Sequence, residues 1–178
     1  MKLCMFSPRG EALGRGWPGR IDGETVIQLA AQTLQAFFTG GGQAREHAEY
    51  PLAEVVFRAP VLHPPSVRIF ETFTDFRFAN PAAIVNADAA IPVAGAVPLQ
   101  RDAAIIGADG WIGGFTPLVE WTAPELSGEK SRDFALALGP IVTTPDEGYP
   151  GWVAEEWEHI VFTASENTRL YPGDIIAA

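Results

Sequence analysis

The chain has 178 residues, which is enough for one domain with a hydrophobic core. Apolar residues make up 47% and charged residues 19% of it, a composition that indicates a globular protein and excludes a disordered one. The formal net charge is −10 and the twelve basic residues are scattered, so neither nucleic acid nor an anionic membrane is expected as a partner.

The cysteine content and the distribution of apolar residues indicate the cellular location. Cys4 is the single cysteine, so no intrachain disulfide can form. No apolar run reaches the length of a transmembrane helix, and the first residues lack the pattern of a signal peptide. We therefore expect a cytoplasmic protein.

The first sixty residues predict a short strand, a helix and a second strand. Lys2 to Phe6 reads as a strand, and the apolar residues from Val26 to Phe38 recur at helical spacing. The three glycines Gly40 to Gly42 predict the end of that helix. The polar stretch from Gln43 to Tyr50 is typical of a linker, and Leu52 to Ala59 alternates as a strand does.

The rest of the chain is a series of short apolar runs interrupted by Pro, Gly and Asn. The runs Ala82 to Val85, Ala103 to Ile106 and Leu136 to Thr143 predict strands, Trp152 to Thr163 predicts a helix, and Ile175 to Ala177 predicts a last strand. Strands at this density favour an α+β fold that is mainly β, not βαβ units. We expect a small N-terminal lobe over residues 1–60 and a core domain over residues 61–178.

Several segments, taken in their order along the chain, carry a resemblance to a known family. They are Tyr50–Val55, Ala59–Val61, Val67–Phe70, Phe78–Ile84, Ile105–Gly107, Gly114–Thr116, Glu120–Leu126, Arg132–Phe134, Leu138–Glu147 and Leu170–Ile176. Together they resemble the fumarylacetoacetate hydrolase family over most of the chain. The resemblance implies a mixed β-roll core, here shortened, with a small N-terminal lobe, and usually a homodimer. It also implies Mg²⁺- or Ca²⁺-dependent cleavage or decarboxylation of β-dicarbonyl acids.

The metal ligands of that family are not retained at the matching positions. The family's Glu-x-Glu pair falls on Leu99 and Arg101, and its later Asp falls on Glu120. Leu99 offers no ligand atom, and Arg101 brings a positive charge where hard cations need carboxylate oxygens. The resemblance therefore implies that the metal site is lost and that the protein uses no cofactor. A register shifted by one residue would place Asp102 at a ligand position.

The other site positions of the family are also altered. Pro124 stands where the family has an arginine, and Arg132 stands where it has a lysine. Arginine keeps the charge and can hold a carboxylate or an enolate. The Glu and His that activate water in many members would align near Thr74 and Phe76, where no histidine occurs. General base catalysis by such a dyad is therefore not expected.

Five charged residues form the candidate site: Glu71, Asp75, Arg101, Glu120 and Arg132. Glu71 and Asp75 flank the lost dyad and could supply a substitute acid or base, although carboxylates on a loop are more often solvated. Arg101 is expected to pair with Glu120, either as a new site or as a salt bridge that closes a dead one.

Three functions remain open on this sequence. The first is a metal-independent isomerase, cyclase or lyase that acts on a small carbonyl compound in a remodelled pocket. The second is a non-catalytic pseudoenzyme that binds a ligand or serves as partner subunit to an intact relative. The third, a metal-dependent C–C hydrolase, is the least favoured.

Overall fold

The computed structural model describes residues 1–11, 13–151 and 153–178, and it is built mainly of β-strands. The strands are β1 (Lys2–Pro8), β2 (Trp17–Asp22), β3 (Thr25–Leu29), β4 (Glu46–Pro51), β5 (Val55–Arg58), β6 (Val67–Thr72), β7 (Asp75–Ala79), β8 (Ile84–Asn86), β9 (Val97–Ile106), β10 (Ile112–Thr122), β11 (Leu136–Leu138), β12 (Ile141–Thr143) and β13 (Ile175–Ala177). The helices are α1 (Leu34–Thr39) and α2 (Ala154–Ser165). The predicted fold class, mainly β with few helices, is confirmed.

The strands form one sheet in the order β4-β3-β2-β1-β12-β10-β9-β13-β6-β7, with β5 paired to β1, β11 to β10 and β8 to β11. The sheet is mixed, because β13 runs parallel to β6 and β11 runs parallel to β8, whereas the other pairs are antiparallel. Strand β1 pairs with β2 and β5 and also with β12, so the first sixty residues and the rest share this sheet. The division near residue 60 stays a prediction.

The helix predicted from Val26 to Phe38 is wrong in its first half. Residues Thr25–Leu29 form β3, which pairs with β2 across a turn at Gly23. The helix begins only at Leu34, where the side chain of Thr33 accepts a hydrogen bond from the Ala36 amide. The apolar residues of both elements are buried, which is why their spacing mimics one helical face.

Other boundaries differ from the sequence prediction in smaller ways. The helix stop at Gly40 to Gly42 is confirmed, because the amides of Gly41 and Gly42 donate to the carbonyls of Phe38 and Phe37. The linker predicted from Gln43 to Tyr50 is wrong, since Glu46–Pro51 forms β4 on the edge of the sheet beside β3. Hydrogen bonding to β3 keeps this polar segment in a strand, and the local sequence pattern does not reveal such a pairing.

Later in the chain, most predicted elements are present with shifted ends. Strand β5 begins only at Val55, after a 3₁₀ turn over Leu52–Glu54, and β8 likewise follows a 3₁₀ turn. Residues 103–106 are the end of the longer β9, and the strand predicted over residues 136–143 is divided into β11 and β12. Helix α2 and strand β13 are confirmed, although Trp152 lies outside the described residues.

Two hydrophobic cores lie on opposite faces of the central strands β6, β9, β10 and β13. The main core takes alternate residues of these strands and covers them with helix α1: Val67, Ile69, Ala103, Ile105, Leu118, Ile175, Ala177, Leu34, Phe37 and Phe38. The second core takes the intervening residues and covers them with helix α2: Phe70, Ala104, Ile106, Phe115, Ile176, Trp157 and Ile160. Alternation along the strands accounts for this division of their residues between the two faces.

No described helix combines the length and apolar character that crossing a membrane requires.

Candidate functional site

Charged side chains replace apolar ones at one end of the main core. Glu71 on β6, Arg77 on β7, Arg101 on β9 and Glu120 on β10 each continue an inward-facing row of their strand. The residues two positions before or after them in those rows are Ile69, Ala79, Ala103 and Leu118. Because side chains alternate along a strand, all four charges point to the same side of the sheet. We call these four residues and Arg132 the charge cluster.

Glu120 is the buried centre of the charge cluster. Its side chain is 1% exposed, and both of its oxygens are paired with arginines. Arg101 Nε donates to Oε2 at 3.1 Å, and an Arg77 guanidinium nitrogen donates to Oε1. A buried carboxylate requires such partners, because an unpaired charge inside a protein costs several kcal/mol (about 3–5 when one partner is removed). The predicted pairing of Arg101 with Glu120 is therefore present.

Arg101 links the buried centre of the charge cluster to its exposed rim. Besides Glu120 it donates to the backbone carbonyl of Phe70 at 3.1 Å and to both oxygens of Glu71, each at 3.1 Å. The side chain is only 9% exposed. These contacts on three sides hold the guanidinium in a single orientation.

Glu71 is the exposed carboxylate of the charge cluster, with 47% of its side chain accessible. Its oxygens lie 3.1 Å from Arg101, 3.5 Å from Arg77 Nε and 3.9 Å from an Arg132 guanidinium nitrogen. Partial burial acts to raise the pKa of Glu71, but the hydrogen bond and charge of Arg101, together with Arg77, lower it overall. Glu71 is therefore a carboxylate at neutral pH.

Arg132 and Asp75 lie at different distances from this group. Arg132, which follows a 3₁₀ turn over Gly128–Ser131, is 39% exposed and reaches the rim of the charge cluster at Glu71. Asp75 lies exposed at the start of β7 and, in the part of the chain that the structure describes, forms no ion pair with the cluster. The structure thus brings together four of the five predicted residues.

Arg77 is the member of the charge cluster that sequence reasoning missed. It pairs with Ile69 across the β6–β7 hairpin, and this pairing turns its side chain toward Glu120. The alternation Phe76-Arg77-Phe78 could have indicated its orientation, because in a strand it places the arginine on the opposite face from the two aromatic rings. The identity of its partner depends on strand pairing and is not visible in the local sequence.

Asp102 lies on the other side of the sheet from the charge cluster. Its neighbours two and four positions on, Ala104 and Ile106, belong to the second core, and its carboxylate accepts a hydrogen bond from the Tyr149 hydroxyl at 2.7 Å. Burial and this hydrogen bond raise the pKa of Tyr149 above its ordinary value. Asp102 therefore does not share a face with Glu120, so the alternative register would not place a second carboxylate beside Glu120.

The residues at the expected metal position do not fit a divalent cation. Leu99 pairs directly with Glu120 across β9 and β10 and has no ligand atom, and both oxygens of Glu120 are held by arginines. Among the described residues, no group of three or more His, Cys, Asp or Glu side chains could hold a metal ion. Hard cations need several oxygen ligands, which this arrangement does not provide.

One cavity of the described residues lies apart from the charge cluster. It has a volume of about 280 Å³ and is lined by Met5, Thr33, Val61, His63 and their neighbours, none of which belongs to the cluster. The charge cluster itself reaches solvent through Glu71 and Arg132. These two side chains form the exposed rim of the charge cluster.

Comparison with known proteins supports the fold but not an activity. No family model matches the chain, and no curated protein matches it. Maleylpyruvate hydrolase from Sphingobium sp. SYK-6 superposes with a TM-score of 0.77 at 20% identity, over 99% of this chain and 87% of that one. For 2-hydroxyhepta-2,4-diene-1,7-dioate isomerase from Mycobacterium marinum the TM-score is 0.75 at 17% identity, over 99% of this chain and 86% of that one.

A third solved structure is 2-keto-3-deoxy-D-arabinonate dehydratase, complexed with magnesium and 2,5-dioxopentanoate. Its TM-score is 0.72 at 16% identity, over 99% of this chain and 86% of that one. The three proteins carry different activities, so a likeness at this identity establishes architecture alone. The chain therefore has the fold of fumarylacetoacetate hydrolase family enzymes, as its sequence resemblance predicts.

Proposed function

We propose that the chain binds a small carbonyl compound carrying a carboxylate at the charge cluster and converts it without a metal ion. The observation that carries the proposal is the arrangement of Arg77 and Arg101 around the buried Glu120, at the place where the resemblance puts a cation. Fixed guanidinium groups stabilise a carboxylate or a developing enolate, as a bound cation does. The reaction class that suits this chemistry is an isomerisation, a cyclisation or a lyase step.

The roles of the two carboxylates differ in this proposal. Glu120 has both oxygens engaged by arginines, so its role is to position Arg77 and Arg101. Glu71 is exposed and lies beside three guanidinium groups, which makes it the candidate that would move a proton. Its lowered pKa makes it a weak base, because a general base works best with a pKa near the working pH.

The second candidate function is a non-catalytic ligand-binding module or partner subunit. It is favoured by the internal pairing of the charge cluster, in which Arg101 and Glu120 satisfy each other. A closed salt bridge of this kind can stabilise a site that has lost its chemistry. The depressed pKa of Glu71 points in the same direction.

Binding by chelator-treated protein tests the proposal. We expect pyruvate to bind the wild-type chain, as measured by calorimetry, and Arg132→Ala to weaken binding about tenfold or more, because one charged hydrogen bond contributes roughly 1.5–3 kcal/mol. Arg20→Ala is the matched control, since Arg20 pairs with Asp22 and Glu46 away from the charge cluster. Binding that is absent, or equal in wild type and Arg132→Ala, would refute the proposal.

Proton exchange separates the two candidate functions. An enolising enzyme exchanges the methyl protons of pyruvate with D₂O, and NMR records the loss of the methyl signal. We expect exchange by the wild-type chain and its loss in Glu71→Gln. Pyruvate binding without exchange would assign the chain to the non-catalytic candidate.

A further inference from the structure

Glu71 is bound in the charge cluster as a carboxylate ligand would be. Arg101 approaches both of its oxygens at 3.1 Å, and Arg77 and Arg132 lie at 3.5 Å and 3.9 Å. Both contacts of Arg101 come from the same nitrogen, Nη2, and arginine binds carboxylates through such charged N–H···O contacts. The guanidinium groups thus form an anion site whose present occupant is part of the chain.

The attachment of Glu71 is weak compared with that of Glu120. Glu71 is 47% exposed, whereas Glu120 is 1% exposed. The strand pairing of β6 with β7 also shifts register between Phe70 and Thr72, at the position of Glu71. An ion pair at the surface contributes little to stability, so this carboxylate can leave the arginines at low cost.

The site also contains a donor that Glu71 does not satisfy. Among the described residues, Arg77 Nε is a buried nitrogen without a hydrogen-bond acceptor. The nearest carboxylate oxygen paired with it is Glu71 Oε1, at 3.5 Å, too far for a good hydrogen bond. A free carboxylate, which is not restrained by a backbone, can move closer to this donor.

We propose that Glu71 is an internal, displaceable occupant of the anion site formed by Arg77, Arg101 and Arg132, and that a carboxylate ligand binds by taking its place. This inference rests on the proposed function and adds a competition between the ligand and Glu71. The three arginines outnumber the glutamates of the charge cluster, so the site is selective for an anion over a neutral compound.

Displacement would also change the chemistry of Glu71. The contacts of Arg101 and Arg77 lower its pKa, so a Glu71 that has left them becomes a stronger base. Ligand binding would in this way prepare the group that moves the proton. Glu71 would therefore become the stronger base only when a carboxylate ligand occupies the anion site.

Removal of the Glu71 carboxylate tests the competition. Acetate binding is measured by calorimetry on chelator-treated wild type, Glu71→Ala and Asp75→Ala, with the melting temperature of each recorded to confirm folding. We expect acetate to bind Glu71→Ala about tenfold or more tightly than wild type, because an internal competitor that fills the site nine-tenths of the time reduces apparent affinity tenfold. Asp75→Ala removes an exposed carboxylate of the same hairpin that is not paired with the cluster, and should match wild type.

The other results have separate meanings. Equal acetate affinity in wild type and Glu71→Ala overturns the displacement and leaves the proposed function standing if Arg132→Ala still weakens pyruvate binding. Absence of acetate binding in every folded variant also overturns the displacement. The proposed function then falls only if the pyruvate titration fails as well.

Discussion

Strand β6 carries two arginine–carboxylate groups, one on each face, and they are built differently. On one face Arg68 lies 3.7 Å from Asp174, and the two side chains are 6% and 2% exposed. Asp174 also accepts hydrogen bonds from the Ser66 hydroxyl and the Tyr171 amide, both at 2.7 Å. The Arg68 guanidinium lies over the rings of Phe76 and Phe78. On the other face lies the charge cluster.

The difference lies in the access of each group to water. The Arg68–Asp174 group is buried throughout and connects β6 to the turn before β13, so its role is to hold the strands together. In the charge cluster, solvent exposure increases from the buried Glu120 to the exposed Glu71 and Arg132. Under the proposed function, the exposed rim would give a ligand access to arginines that buried contacts hold in place.

The largest expected effect is on the buried centre of the charge cluster. Glu120→Ala leaves Arg77 and Arg101 without their shared counter-charge, and we expect a loss of about 3–5 kcal/mol in the free energy of unfolding. Urea denaturation measures it. A loss below about 1 kcal/mol would show that the arginines are already solvated.

A smaller loss of stability is expected on the opposite face. Asp174→Asn keeps the shape but removes the charge facing Arg68 and replaces one of two acceptor oxygens with an amide donor, so we expect a loss of about 1.5–3 kcal/mol. Pyruvate affinity should not change, since this group faces away from the charge cluster. A variant that folds normally yet loses pyruvate binding would contradict the division of roles between the two faces.

The smallest effect concerns the pH dependence of stability. The folded-state pKa of Glu71 lies below its ordinary value of 4.5, so its contribution is present above that value and is lost as pH falls through the lower pKa. The difference in melting temperature between wild type and Glu71→Gln should therefore shrink between about pH 7 and pH 3. A difference that stays constant over this range would mean that Glu71 is not paired with the arginines.

The sequence predicted the fold class and most of the candidate site, but not the pairings. Leu99, Arg101 and Glu120 were identified by resemblance, and the structure places them side by side on β9 and β10. Arg77 was missed because its role depends on the register of the β6–β7 hairpin. Contacts between distant segments are not encoded in local spacing.

The error over residues 26–38 has the same origin. Val26 packs in a small cluster with Phe6 and Val55, whereas Leu34 and Phe37 pack in the main core. Both groups are apolar and buried, so their combined spacing resembles one helix. Pairing of β3 with β2 and β4 decides the local structure there, and neither partner is visible from the segment alone.

Metal titration tests the central claim, that arginines occupy the place of a cation, most directly. Calorimetric melting in the presence of Mn²⁺ or Mg²⁺ should leave the melting temperature of the wild-type chain unchanged, because a ligand stabilises only a fold that binds it. The double variant Leu99→Glu/Arg101→Glu places two carboxylates beside Glu120 and should gain stabilisation by Mn²⁺. A wild-type chain that Mn²⁺ stabilises, with the effect abolished in Glu120→Gln, would contradict the claim.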